Sequence, residues 1–260
     1  MQAQTRVNIL STPLDALSFV ETVERARRSI RTGSSTQQVS MNVAKLVKMR
    51  TDAVLREDVL SSDIISADGF GIVWACKCLG LSGVQRVAGV DLMFAILELC
   101  AKEGYRPYFL GAHPEILNRA IKVALARWPG LKMAGAHHGY FKTHEEKSVL
   151  DDIVSAHPDC LFIAMPTPRK ERFLAQHRRR LNVPYIMGVG GSLDIVAGKV
   201  TRAPLWMQHA GLEWLYRVLQ EPRRMWWRYT STNAAFAVLI AAALMRSVRA
   251  KLRKQHANEN

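Results

Sequence analysis

From residue 105 onward, the apolar positions of this chain switch between two periods. Short β-rich runs at 106–110, 131–136, 160–165 and 184–189 are separated by stretches at 114–127, 143–156 and 168–180. In those stretches apolar residues recur at helical spacing, as in Ile116, Ala120, Val123 and Ala124. Strand, helix, strand at a period of roughly 25 residues predicts parallel strands joined by right-handed crossovers. Upstream, 6–10 and 37–41 read as two further strands, and Thr12-Pro13 reads as the cap of a helix running to about residue 29. Residues 52–104 read as mostly helical around a short strand at 63–66. The expected fold class is α/β: a Rossmann-like, mostly parallel sheet flanked by helices. A break near Gly198–Pro204 leaves a core of residues 1–200 and a helical, basic C-terminal appendage of residues 201–260.

The appendage has a pattern of its own. Gly211-Leu-Glu-Trp-Leu-Tyr-Arg217 and Glu221-Pro-Arg-Arg-Met-Trp-Trp-Arg-Tyr229 combine arginines with aromatic rings. An uncharged apolar run, 234–245, follows and is closed by Arg246, Arg249, Lys251, Arg253 and Lys254. Guanidinium groups clamp phosphate oxygens bidentately, and a short apolar helix with basic flanks suits an anionic bilayer surface. The run has 12 residues, short of the ~20 needed to span a bilayer. It is expected to dock peripherally on lipid or to pack against a second copy in a homo-oligomer.

Charge sharpens this picture. The chain of 260 residues carries +14, from 36 Lys and Arg against 22 Asp and Glu. From Pro222 onward eight Lys/Arg face one Glu, so half of the excess lies in the tail. On charge alone the tail fits nucleic acid, anionic lipid or a nucleotide diphosphate. Trp226, Trp227 and Tyr229 would serve for base stacking, but an uncharged apolar helix beside them argues against a nucleic-acid partner. Cys76, Cys78, Cys100 and Cys160 form no CxxC pair. They read as reduced thiols of a cytosolic chain, without a zinc site or disulfide framework. The N-terminal residues show no signal-peptide core.

In an open parallel sheet, ligands sit at the carboxyl ends of the strands, which selects five loops. In Ser66-Ala-Asp68-Gly69, burial would raise the Asp68 carboxyl and make it a general base; a plain Asp-Gly turn is the alternative. In Gln38-Val-Ser40-Met-Asn42, Ser40 and Asn42 suit either helix caps or hydrogen bonds to a polar ligand. His137 and His138 invite a metal, but neighbours on a strand point to opposite faces, and no second ligand pair supports one. Lys170 and Glu171 open a helix after Pro168, and would face a phosphate and a hydroxyl or stay solvated. Gly188-Val-Gly190-Gly191-Ser-Leu-Asp194 offers backbone N–H groups to an anion. It is not the GxGxxG fingerprint of dinucleotide enzymes. The chain has no Asp-x-Asp either, so the charge of a departing nucleotide diphosphate would fall to arginines and helix N-termini.

In family order, the segments Ser40-x-Asn42, Ala67-Asp68-Gly69-x-Gly71, Arg86-Val-Ala-Gly89-x-Asp91, His138-Gly139-Tyr140-Phe141, Pro168-x-Lys170-Glu171, Gly188-Val-Gly190-Gly191-x-x-Asp194, Arg202-Ala-Pro204 and Gly211-Leu-Glu-Trp-Leu-x-Arg217 resemble the WecG/TagA/CpsF family of bacterial glycosyltransferases. The resemblance implies inverting, metal-independent transfer from a UDP-sugar to a polyprenyl-diphosphate-linked sugar at the cytoplasmic membrane face, without a cofactor. It implies that Asp68 is the base and that Ser40 and Asn42 line the sugar site. Arg217, Arg223, Arg224 and Arg228 would close over the diphosphate. Many members have Gln at the position of Lys170 and Thr at that of Ser40. The Pro-x-Lys-Glu version resembles exopolysaccharide glucosyltransferases, so UDP-glucose is the expected donor and UDP-N-acetylmannosamine the next. The rival class is a non-enzymatic α/β nucleotide- or sugar-binding protein with a membrane-docking tail.

Overall fold

The computed structural model describes residues 6–258, and the side chains of that span other than those at 224, 225, 228, 248 and 250–258. Its centre is a six-stranded sheet in the order β4-β3-β8-β7-β5-β6, with every neighbouring pair parallel. The strands are β3 (Thr36–Met41), β4 (Ile64–Ala67), β5 (Pro107–Gly111), β6 (Gly135–His137), β7 (Cys160–Ala164) and β8 (Tyr185–Gly188). A parallel sheet needs apolar side chains on both faces, and the central strands supply them by simple alternation. Phe109, Phe162 and Met187 point to a layer holding α1 (Phe19–Thr32), α5 (Gly89–Glu103), α6 (Pro114–Arg127) and α9 (Ser192–Val196). Tyr108, Leu161 and Ile186 point to α7 (Glu146–Ala156) and α8 (Arg169–Leu181). A third cluster joins β3 and β4 to α2 (Val43–Lys48), α3 (Ala53–Leu60) and α4 (Phe70–Cys78).

The segment around Thr12-Pro13 is not a helix. β1 (Arg6–Ile9) and β2 (Thr12–Asp15) form an antiparallel hairpin outside the main sheet, turned by Leu10 and Ser11 at positive φ. The buried Asp15 carboxylate locks it in place by accepting from Arg6 Nε and from Ile65 N–H, each at 2.7 Å. Helix α1 starts later, where Ser18 and Glu21 form a reciprocal capping box. The strand expected at 131–136 shrinks to Gly135–His137, because Leu131 N–H is drawn back to Trp128 O at 3.0 Å.

After the extended segment at 199–204 come α10 (Leu205–His209), α11 (Glu213–Gln220) and α12 (Pro222–Asn258). No helix among the described residues is long and apolar enough to cross a membrane. The apolar run of α12 is not wholly free for lipid. Phe236 and Ile240, one helical turn apart, are buried in the cluster with Met41, Leu46 and Ile72. Truncation before residue 236 would therefore strip two core side chains from the α/β body as well as the tail.

Candidate active site

Asp68 stands one residue past β4, and its N–H extends the ladder to Met41 O at 2.7 Å. Gly69, at φ 96°, turns the chain into α4, a conformation that side chains resist. The Asp68 carboxylate is not tied into its own turn. It accepts the N–H of Gly89, the first residue of α5, whose N-cap Ala88 provides no side-chain hydrogen bond. Asp68 thus does from a neighbouring strand what a capping side chain does locally. A Cβ at Gly89 would lie 3.2 Å from Ser40 Oγ and 3.3 Å from Asp68 Oδ2, so the hydroxyl and the carboxylate converge on one glycine. Gln38, buried on β3, donates to Ser66 Oγ at 2.6 Å and to Ser40 Oγ at 3.4 Å. Asn42 is an N-cap: its Oδ1 accepts from Lys45 N–H at 2.9 Å.

Of these, Asn42, Asp68 and Gly89 line a cavity of about 570 Å³, while Ser40, Gln38 and Ser66 are buried and do not line it. One wall is built by Asn42 and Val43, by Phe70 and Trp74 of α4, and by the segment from Arg86 to Val90; α11 and α12 form the opposite wall. Burial pushes the Asp68 carboxyl above the usual carboxylate range. The Arg86 guanidinium, the Gly89 N–H and Arg217 pull it down, and Glu213 adds to the rise. The balance leaves a base stronger than an ordinary aspartate at the edge of a largely apolar cavity.

Two arginines and two carboxylates pin the appendage over this base. Arg86 donates to Glu213 Oε2 at 2.6 Å and to Gln208 O at 3.1 Å. Arg202 grips Asp91 with both terminal nitrogens and reaches Glu213 Oε1 at 3.4 Å. Arg217 also lines the cavity, and its guanidinium has no ion-pair partner among the described residues. Arg223 is exposed and does not line the cavity, while the side chains of Arg224 and Arg228 lie outside the described residues.

A second polar centre lies at the ends of β7 and β8. Glu171 Oε1 is 3.0 Å from both Lys45 Nζ and Lys170 Nζ, with all three side chains buried. Thr167 Oγ1 adds bonds to Lys170 at 2.7 Å and Glu171 at 3.1 Å. Burial alone would raise the Glu171 carboxyl, but Lys45 and Lys170 outweigh it and hold it down at about 2. The stem of Lys170 crosses Gly188, where a Cβ would sit 3.0 Å from its Cε. Gly190 (φ 52°) and Gly191 lead into the short α9, and Asp194 pairs with Lys199 at 3.5 Å. Lys170, Glu171, Gly188, Gly190, Gly191 and Asp194 are thus grouped beside the Asp68 cavity without lining it.

The histidine pair departs from the alternation expected of a strand. β6 ends at His137, and the two rings lie 4.6 Å apart, with His137 Nδ1 2.8 Å from His138 O. Among the described residues no group of three metal-ligating side chains gathers.

A model of the glycosyl transferase WecG/TagA/CpsF family matches residues 7–250. The chain belongs to that family. It is similar to two proteins named N-acetylglucosaminyldiphosphoundecaprenol N-acetyl-beta-D-mannosaminyltransferase. Against the one from Bacillus spizizenii it is 36% identical over 173 residues, 66% of either chain. Against the one from Bacillus subtilis it is 30% identical over 232 residues, 89% of this chain and 88% of the relative.

For this WecG/TagA/CpsF glycosyltransferase, sequence reasoning missed Arg86, Gly89, Glu213 and Lys45 as site-forming residues. Arg86 and Gly89 lay inside a segment that carried the resemblance, and a glycine at the start of a helix was the available signal. The pairings Arg86–Glu213 and Lys45–Glu171 join distant parts of the chain and leave no local trace. Gly89→Ala is expected to displace the Asp68 carboxylate by a few tenths of an ångström or more. Turnover should fall about 10–100-fold, the scale at which small misplacements act, while far-ultraviolet circular dichroism stays unchanged.

Proposed function

We propose that the protein transfers a hexose from a UDP-sugar to a sugar carried on a polyprenyl diphosphate, in one displacement, with inversion and without a metal. The observation that carries this reading is Asp68: a carboxylate with a raised pKa, held on Gly89 at the edge of a cavity that also contains Arg217. The acceptor hydroxyl attacks the anomeric carbon and gives its proton to Asp68, a step worth about 10²–10⁴-fold. The bond from the anomeric carbon to the UDP oxygen breaks as the new glycosidic bond forms. UDP then leaves with its charge met by Lys170 and the Gly188–Gly191 amides on the donor side, beside the Lys45–Glu171–Lys170 centre.

The acceptor class is supported by the names of the two Bacillus relatives, which specify a sugar on diphosphoundecaprenol. Support for the donor divides. Those names specify N-acetyl-β-D-mannosaminyl transfer, whereas the Pro168-x-Lys170-Glu171 segment favours UDP-glucose. Peripheral attachment to the cytoplasmic membrane face is supported by exposed apolar side chains of the appendage. Trp206, Leu219 and Trp227 are 65%, 68% and 77% exposed, and Arg223, on the same helix as Trp227, is exposed as well. Amphipathic aromatic rings and arginine suit the headgroup region of an anionic bilayer.

The test is UDP release from UDP-glucose, UDP-GlcNAc or UDP-ManNAc with a short-chain lipid-diphosphate glucose or GlcNAc, with and without EDTA. Acceptor-dependent, EDTA-resistant turnover with one donor is expected. UDP binding without turnover across every pair would favour the binding-protein class, and loss of turnover in EDTA would overturn the metal-free mechanism.

A further inference from the structure

The Asp68 cavity extends along one face of α12, and its chemistry changes along that face. On α12 it is lined by Tyr229, then Thr232 and Asn233, Phe236 and Ala237, Ile240 and Ala241, and finally Leu244. These positions recur every three to four residues, which is one face of a helix. At 1.5 Å per residue, the stretch from 229 to 244 runs about 22 Å. The first third is polar and lies with Arg217 and Trp214, whose ring meets Tyr229 at 5.9 Å. The remainder is apolar and runs along α2, with Val43 and Ala44 of α2 and Phe70 and Trp74 of α4 also lining the cavity.

We infer that this channel receives the first isoprene units of the acceptor, so that the lipid chain leaves the sugar diphosphate between α4 and α12, inside the protein. The inference rests on the reading above. Its argument is an order of groups. Asp68 is followed by Arg86 and Arg217, and these by an apolar channel; a lipid-linked sugar presents a hydroxyl, then an anion, then a hydrocarbon, in the same order. Arg86 is already neutralised by Glu213 at 2.6 Å, so the positive charge offered to the diphosphate is that of Arg217. Phe70 and Trp74 leave about half of their surface open, 49% and 47%, and burying such surface is what an apolar ligand gains on entering. Ala237 and Ala241 face the channel where longer side chains would fill it. At its far end stand Met245 and Arg246, both exposed, where the chain would pass to the bilayer.

The experiment measures binding of prenyl diphosphates to the full-length protein by calorimetry, below their micelle concentrations. Inorganic diphosphate and the one-, two-, three- and four-isoprene diphosphates are compared. Affinity should rise at least about tenfold from one unit to three, as expected for buried hydrocarbon, and then level off. In Ala237→Trp and Ala241→Trp that gain should shrink several-fold, with inorganic diphosphate affinity serving as the check on folding. Equal affinity at every chain length would overturn the channel while leaving glycosyl transfer intact. A gain that survives both tryptophans would overturn it as well. A chain-length gain in binding with no transfer to any lipid-linked sugar would keep the channel and sink the transferase reading.

Discussion

Asp68→Asn should lower turnover by about 10²–10⁴-fold, the usual worth of a general base, while UDP affinity stays at the wild-type value. Asparagine keeps an acceptor for the Gly89 N–H, so the loss isolates proton transfer from positioning. Wild-type kcat/KM should fall on the acid side as Asp68 takes up a proton, and because its carboxyl is raised, that limb lies above the range of an ordinary aspartate. The asparagine variant should lose the limb. Stability moves the other way. A folded-state pKa above the unfolded one contributes stability that is present at low pH and lost as pH rises through the folded value. Ionised Asp68 therefore weakens the fold at neutral pH, and the variant should melt higher than wild type. Higher stability with lost turnover is the signature of a strained functional group. Retention of more than roughly a tenth of wild-type turnover would remove Asp68 from the role of base.

The sheet was legible because its strands are buried on both faces and read as short apolar runs. β7 and β8 fall within the runs at 160–165 and 184–189, and β5 overlaps the run at 106–110 and ends one residue beyond it. The hairpin was not legible. Its turn uses Leu10 and Ser11 at positive φ, without the glycine or asparagine that marks such turns. The fate of Thr12–Asp15 is decided by Asp15 bonding to Ile65 across the fold. The start of α1, in contrast, was written locally as Ser18-x-x-Glu21, a stronger cue than Thr12-Pro13. Asp68 could be picked out because a strand end followed by glycine is a place where side chains face ligands. Its partners could not. Gly89 arrives from the start of α5 and Arg86 from the loop before it, Glu213 and Arg217 from the appendage, and only the folded chain shows that they meet. Hydropathy identified 234–245 as apolar but could not say which way it faced. Phe236 and Ile240 are buried in the core where it borders the cavity, Ala237 and Ala241 line the cavity with their surface open, and Val238 faces solvent.

The buried triad gives the largest expected effect on stability. Glu171 pairs with both Lys45 and Lys170, each at 3.0 Å, and both ammonium groups are nearly excluded from water. Glu171→Gln preserves shape but leaves two like charges buried side by side. Breaking a buried pair by removing one partner costs about 3–5 kcal/mol, which for a chain of this size corresponds to a drop in Tm of roughly 6–20 °C. The pH dependence carries the same sign. Glu171 is held at about 2 against an ordinary value of 4.5, so its contribution is complete above 4.5 and is lost as pH falls toward 2. Wild type should show that acid loss in a melting series, and the glutamine variant should lack it. Combining Lys45→Met with Glu171→Gln returns the site to the wild-type net charge, because one ammonium remains. Its Tm should therefore recover part of the loss, a non-additivity expected of directly paired groups. If Glu171→Gln melts with wild type, the two lysines are neutral or hydrated in the folded protein and the triad does not hold α2 against α8. If it melts early and the second substitution restores it, like-charge repulsion is the cause. The charge at Lys170 is then available to an incoming diphosphate only because Glu171 makes its burial tolerable.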